Sequence, residues 1–265
     1  MYKDAIHEGF TLARYMRSPI IGAALGVVLQ RWSGIDPATG RGIALLFGLV
    51  YVCERAIVEL WKTFLREEDQ GKYFIPMQFS LFGVPVQSRL ARWGMLLLCL
   101  VAIVLAVQGV ERAQRAAFDM PHLLVAVLVG SIGGWLTAIG GAWKDAPKEG
   151  FEPLKFFRSP LMTAFFALVV SALTDRYLFI AMAAVGYERA AVETYKTFFF
   201  PDKPRGKFAG KPVLFPDMLQ RRAPFRFLYA GIWAVVLVAL GQALFARHDG
   251  RAPEALTNSV PARAS

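Results

Sequence analysis

Four ionisable residues, Glu54, Arg55, Glu59 and Lys62, interrupt an otherwise apolar stretch. The same four types return at the same spacing as Glu188, Arg189, Glu193 and Lys196. At helical periodicity Arg55, Glu59 and Lys62 fall at about 100°, 140° and 80° from Glu54, so the charges share one side of a helix. Ala56, Ile57 and Leu60 cover the other. Arg55 to Glu59 is an i,i+4 pair and Glu59 to Lys62 an i,i+3 pair, which neutralises much of the charge within one helix. Glu54 and Glu188 are left to find partners elsewhere. An unpaired charge at a bilayer centre costs about 2.5–3.5 kcal/mol on insertion scales, so such residues are candidates for gates, proton sites or anion sites. The competing reading is an ion-pair staple that fixes the fold, and it is favoured because each Glu has a nearby Arg and a neutral network fits a fold-fixing role better than a free proton site.

The turn around Asp175 is a ruler for depth. Equal walks from it put Glu188, Arg189 and Glu193 level with Arg158-Ser159-Pro160. Ser-Pro reads as N-cap and first helical residue, predicting helix starts, or kinks, at Pro19 and Pro160. Arg17 and Arg158 then precede those starts. The expectation is that Arg17 reaches Glu54 or Glu59, and Arg158 reaches Glu188 or Glu193.

Seven apolar segments must position these groups: 19–29, 42–64, 93–110, 123–143, 160–173, 177–199 and 225–246. The third, fourth and seventh are clean spanning candidates. The first and fifth are short for a hydrocarbon layer about 30 Å thick and are open to a re-entrant reading.

The segments repeat. YKDAIHEGF at 2–10 returns as WKDAPKEGF at 143–151, and the same offset of 141 maps Arg17-Ser18-Pro19 onto Arg158-Ser159-Pro160. CERAIVELWKTF at 53–64 returns as YERAAVETYKTF at 187–198 with the offset reduced to 134, the difference lying in the longer turn of the first copy. Matches continue through the next loop, where Gly71-Lys72 pairs with Gly206-Lys207, Leu81-Phe82 with Leu214-Phe215 and Gln87 with Gln220. The expected fold is an all-α integral membrane protein of about seven transmembrane or partly inserted helices. Two parallel three-helix repeats are joined by a linker helix, in a 3+1+3 order. The units are repeat one at 2–110, the linker at 111–142, repeat two at 143–247 and a polar tail at 248–265 expected to be poorly ordered alone. Parallel repeats with a linker helix are similar in topology to sugar transporters of the SWEET type. The proline-glutamine loop motif is absent, and no family is assigned.

Composition agrees with a bilayer. Of 265 residues, 55% are hydrophobic and 13% aromatic, with a mean hydropathy of +0.41, above the usual share for a soluble domain. The formal charge of +10 follows the segment flanks and does not line one helix face, which argues against nucleic acid. Twenty Lys and Arg fall on the side of the two long loops and eight on the other, with Arg55 and Arg189 inside helices. The positive-inside rule then predicts a multi-pass protein of the cytoplasmic membrane with its N-terminus in the cytoplasm and its C-terminus outside. No signal-peptide pattern opens the chain, so the first apolar segment is expected to stay. Basic loops at 65–92 and 200–224 attract anionic headgroups at about 1 kcal/mol per nearby cation.

Catalytic and cofactor motifs are absent from the sequence. There is no GxxxxGK[ST], no HExxH and no recognisable Ser-His-Asp pattern. Cys53 and Cys99 lack CxxC spacing, and His7, His122 and His248 are scattered, so no metal or cofactor is implied. Gly130-x-x-x-Gly134 permits close helix contact, expected inside the molecule in preference to a homodimer seam. The functional expectation is a non-enzymatic transport or permeation unit with a charge cluster in each repeat. The alternative is an accessory or scaffold subunit. Homo-oligomers and other membrane subunits are the protein partners in view.

Overall fold

The computed structural model describes residues 4–116, 120–199 and 206–248. The expected polar tail lies outside them apart from the helix-ending His248. A short turn α1 (Ala5–Glu8) leads into α2 (Leu12–Ser33) and α3 (Gly40–Leu60), which ends in a π-turn at Trp61–Leu65. A two-stranded hairpin, β1 (Ser80–Leu81) and β2 (Val84–Pro85), precedes α4 (Arg89–Arg115) and α5 (His122–Glu149). Then come α6 (Pro153–Ser171), α7 (Tyr177–Phe198), the short α8 (Asp217–Arg222) and α9 (Phe225–His248).

Five helices are long and apolar enough to cross a membrane: α2, α4, α5, α6 and the stretch Asp217–Ala246 that contains α9. The molecule is thus an all-α, membrane-embedded protein. The segments read as short from their prolines are not short. α2 has 22 residues and α6 has 19, roughly 33 and 28 Å at 1.5 Å per residue.

The prolines correct the expectation most directly. Pro19 and Pro160 do not open their helices. Each is the eighth residue of an unbroken helix that starts at Leu12 or Pro153. Pro153 is the true first-turn proline of α6, where a missing N–H costs nothing because that donor has no intrahelical acceptor. Other ends follow familiar chemistry. Thr39 caps α3 by accepting from the Gly42 N–H at 3.0 Å, and Ser88 caps α4 by accepting from Ala91. Gly34 closes α2 in the left-handed region at φ 69°.

α3 and α7 pack against each other at the centre, with α5 and α6 together on one flank and α9 against α3. Tyr187 of α7 occupies the middle, fully buried among Phe47, Phe166 and Leu49, and its hydroxyl donates to the Ala44 carbonyl at 2.8 Å. Small residues set the helix spacing. Gly186 lies against the Gly48 backbone, Gly130 against Ala167, and Gly134 against Thr163 and the Ser159 carbonyl. The small-residue run of α5 therefore faces α6 and, through Gly133, Val185 of α7.

Beyond the ends of α3 and α7 the two polar loops meet. The Phe74 N–H donates to the Lys207 carbonyl at 2.8 Å, and the rings of Tyr73 and Phe208 lie 5.5 Å apart. Each loop also grips a lead-in segment from the other half of the chain. The second loop holds α1, since Leu214 and Phe215 both donate to the Ile6 carbonyl, His7 Nδ1 lies 2.9 Å from the Pro212 carbonyl, and the Phe215 ring covers Gly9. The first loop holds the last turns of α5: Trp143 Nε1 donates to the Ser80 carbonyl at 3.2 Å, and Gly83 sits under Pro147 and Lys148.

Candidate functional site

Glu188 and Arg55 come to rest inside their helices, Glu188 beside the serine that the depth ruler assigned and Arg55 beside the serine at the matching position of the first copy. Ser159 Oγ donates to Glu188 Oε1 at 2.8 Å, and Ser18 Oγ accepts from Arg55 Nη2 at 3.3 Å. The level is as expected. The pairing is not.

Glu54 is bound by Arg55, the adjacent residue, with Nη2 2.7 Å from Oε1. Glu188 faces Arg189 Nε at 3.2 Å. Among the described residues no ion pair joins Arg17 to Glu54 or Glu59, or Arg158 to Glu188 or Glu193. The i,i+4 bond from Arg55 to Glu59 is also absent, whereas Glu59 does take Lys62 at 3.1 Å. The physical reason is reach: an arginine one residue on can fold its guanidinium along the helix onto the preceding carboxylate, forestalling a partner on another helix. Arg17 instead lies over the Trp61 ring at 5.3 Å, a cation–π contact. Glu193 is near enough to Tyr51 and Tyr229 to act on both electrostatically, and Lys196 sits partly buried at the end of α7.

The two centres are unequal. Glu54 retains 6% exposure and a two-point guanidinium contact, whereas Glu188 is 0% exposed. Glu188 Oε2 faces Arg189 at ion-pair distance but without hydrogen-bond alignment, and it has no hydrogen-bond partner among the described residues. The same holds for the buried Nε of Arg158 and of Arg17. A buried polar atom left unbonded costs about 1–3 kcal/mol. The Glu188 centre therefore has a carboxylate, the Ser159 hydroxyl donor, Arg189 at ion-pair distance and Arg158 adjoining that serine in sequence, with hydrogen-bonding capacity unspent.

A second charged cluster, in the loops, was not foreseen. Glu8 accepts Arg14 at 2.8 Å and Tyr73 Oη at 3.1 Å, with Lys207 Nζ at 3.6 Å. Glu68 takes Arg66, Lys72 and the Tyr73 hydroxyl at 3.2, 2.9 and 2.6 Å. Lys207 also pairs with Asp4 at 2.7 Å. The available signal was the recurrence of Asp4, Glu8 and Arg14 as Asp145, Glu149 and Lys155, where Lys155 holds Asp145 and Glu149 at 2.9 and 2.7 Å.

Burial opposes ionisation of Glu68, but the Tyr73 hydroxyl and the cations Lys72 and Arg66 outweigh it and hold its carboxyl below the usual range. A depressed carboxyl stabilises the fold above its unfolded pKa, about 4.3, and that contribution is lost as pH falls through the lower folded value. Hydrogen exchange at the Gly71 amide, in a turn capped by Asp69, should accelerate in that window relative to the helix core. Glu68→Gln should already exchange faster at neutral pH and show a weaker acid response.

In comparison with known proteins, no family model, no curated protein and no solved structure matches this chain.

Proposed function

We propose that the chain is a transport or permeation unit of the cytoplasmic membrane in which Glu188 is the exchangeable charge. The observation that carries this reading is the under-satisfied Glu188 centre in an otherwise close-packed interior. A staple needs every lone pair and donor matched; a site that takes up and releases a proton needs a carboxyl whose bonding can be completed in more than one way.

The architecture in this reading is two parallel units, 2–110 and 143–247, about a linker at 111–142, with α3 and α7 as additional spans. Support comes from matched local geometry. Gly9 and Gly150, related by the repeat offset, have φ,ψ of 73°,173° and 82°,170°, and their N–H groups donate to Ala5 and Ala146, again matched positions. Pro19 and Pro160 stand at the same helical position, and Arg14–Glu8 is matched by Lys155–Glu149. The excess of Lys and Arg on the loop side supports a cytoplasmic N-terminus and an outer C-terminus.

The test is proton flux into proteoliposomes carrying an internal pH dye under an imposed gradient. Wild-type protein should carry flux, and Glu188→Gln should lower it at least tenfold while remaining monodisperse. Absence of flux from well-folded wild-type protein overturns the reading. The accessory-subunit alternative is favoured by one observation: only 6% of the most apolar window of α4 is buried, leaving most of that stretch open to lipid or to another subunit. Retention of unrelated membrane subunits through mild detergent purification would support it.

A further inference from the structure

The hairpin of the first loop displays its apolar side chains outward. Phe82 is 82% exposed at the turn, and Leu81 and Val84 flank it in the open. Phe82 has φ 49° and Gly83 φ 79°. Two successive positive φ values make the tight turn whose first position ordinarily takes Asn, Asp or Gly. A bulky aromatic there is a genuine outlier. The conformation is nevertheless pinned: Val86 N–H donates to Phe79, Phe79 N–H donates to Thr63, and Trp143 Nε1 donates to Ser80.

Behind the hairpin lies a groove of about 720 Å³ lined by Phe79, Leu81, Val86, Met95, Gly94 and Trp143. It lies where α4 begins and α5 ends, at the loop end of two candidate spans. Leu90 and Trp93 extend the exposed apolar surface along α4. Cations border it. The Lys148 side chain packs across Gly83, and Arg89, bound to Glu67, stands exposed at the start of α4. Apolar walls at the loop end of two candidate spans, with a lysine beside the hairpin, match one ligand chemistry, a lipid with an anionic headgroup.

We propose that this groove binds an anionic phospholipid, with an acyl chain along α4 beneath Trp143, the headgroup phosphate at Lys148, and the Phe82 tip inserted into the same leaflet. Trp143 and Trp93 suit the headgroup level, where amphipathic rings concentrate. The strained Phe82 then presents an apolar wedge that a polar turn residue would not supply. The proposal is independent of the Glu188 reading, since the groove and that centre share no residue.

Gly94 gives a direct test. A Cβ there meets nothing within 4 Å, so the bulky side chain of Gly94→Phe can start from this wall of the groove without a clash at its first carbon. Protein purified in mild detergent would be titrated with phosphatidylglycerol and, separately, phosphatidylcholine, and bound lipid counted by native mass spectrometry. Wild type should retain phosphatidylglycerol in at least fivefold preference. Gly94→Phe should lose the tightly held copy of either lipid, and Lys148→Glu should keep binding but lose the preference. Phe82→Asn should weaken retention of phosphatidylglycerol without lowering the thermal midpoint in detergent. Equal retention by wild type and Gly94→Phe, an absence of headgroup preference in wild type, or binding of free inorganic phosphate at Lys148 with no lipid retained would each overturn the proposal.

Discussion

Arg189→Met is expected to destabilise the protein in detergent by about 3 kcal/mol, the lower end of the 3–5 kcal/mol typical for breaking a buried pair. The figure sits at the lower end because the Arg189 side chain is 30% exposed, so part of its charge is already solvated. What it leaves behind is costly: a wholly buried Glu188 with a single hydrogen-bond donor, Ser159. The double change Glu188→Gln with Arg189→Met should recover most of the loss, because the isosteric amide still accepts from Ser159 and no charge is stranded. Arg158→Met should matter less than Arg189→Met, reversing the order that the sequence suggested. Thermal unfolding of these three variants and of Glu188→Gln alone checks this directly. Additive single and double effects, or a larger loss from Arg158→Met, would assign the Glu188 charge to a different partner.

Gly186→Ala is expected to abolish stable assembly of the helix pair. A Cβ at Gly186 overlaps the Gly48 carbonyl oxygen and lies 2.9 Å from the Gly48 Cα. Backbone cannot rotate away as a side-chain tip can, so α3 and α7 must separate. Overpacking usually costs about 1–3 kcal/mol and occasionally more, and here the separation would also loosen the cluster around Tyr187 and Phe47. Gly134→Ala should follow the same course against Thr163 and the Ser159 carbonyl. Gly140→Ala and Gly141→Ala face open space and should gain up to about 1 kcal/mol from helix propensity. Yield of monodisperse protein by size-exclusion chromatography orders the four. A monodisperse Gly186→Ala with wild-type melting would show that the α3–α7 contact is not tight.

The sequence made helix existence legible because long apolar runs have few other solutions. Helix starts were less legible: the apolar runs begin at 42 and 93, inside the caps that Thr39 and Ser88 form. Ser18-Pro19 and Ser159-Pro160 misled because serine-proline has the same local signature at a helix start and within a helix. The competing signal was Pro153, whose preceding Glu152 has extended φ,ψ. The depth of the charge clusters was legible because a tight turn makes two helices share a ruler. Donor identity was not, because level fixes which residues can meet and leaves open which of two arginines folds back first. The loop cluster escaped for another reason. Matching segments announce that Asp4 and Asp145 have similar surroundings, yet carry no information on whether the grip comes from the same half of the chain or the other.

That crossed grip sets an order of events on the ribosome. The Ser80 hairpin is made long before Trp143 and Lys148, and α1, about 205 residues upstream of its partners, is held by Pro212, Leu214 and Phe215. Both contacts span long stretches of sequence, so both wait on chain closure. α1 must remain undocked until the second loop has been made, after α2 to α7. Truncated products that stop before residue 206 would expose Ile6, His7 and the Glu8 carboxylate without Lys207 to meet them. An unseated α1 is then the mark of a chain whose second loop has not yet formed around it.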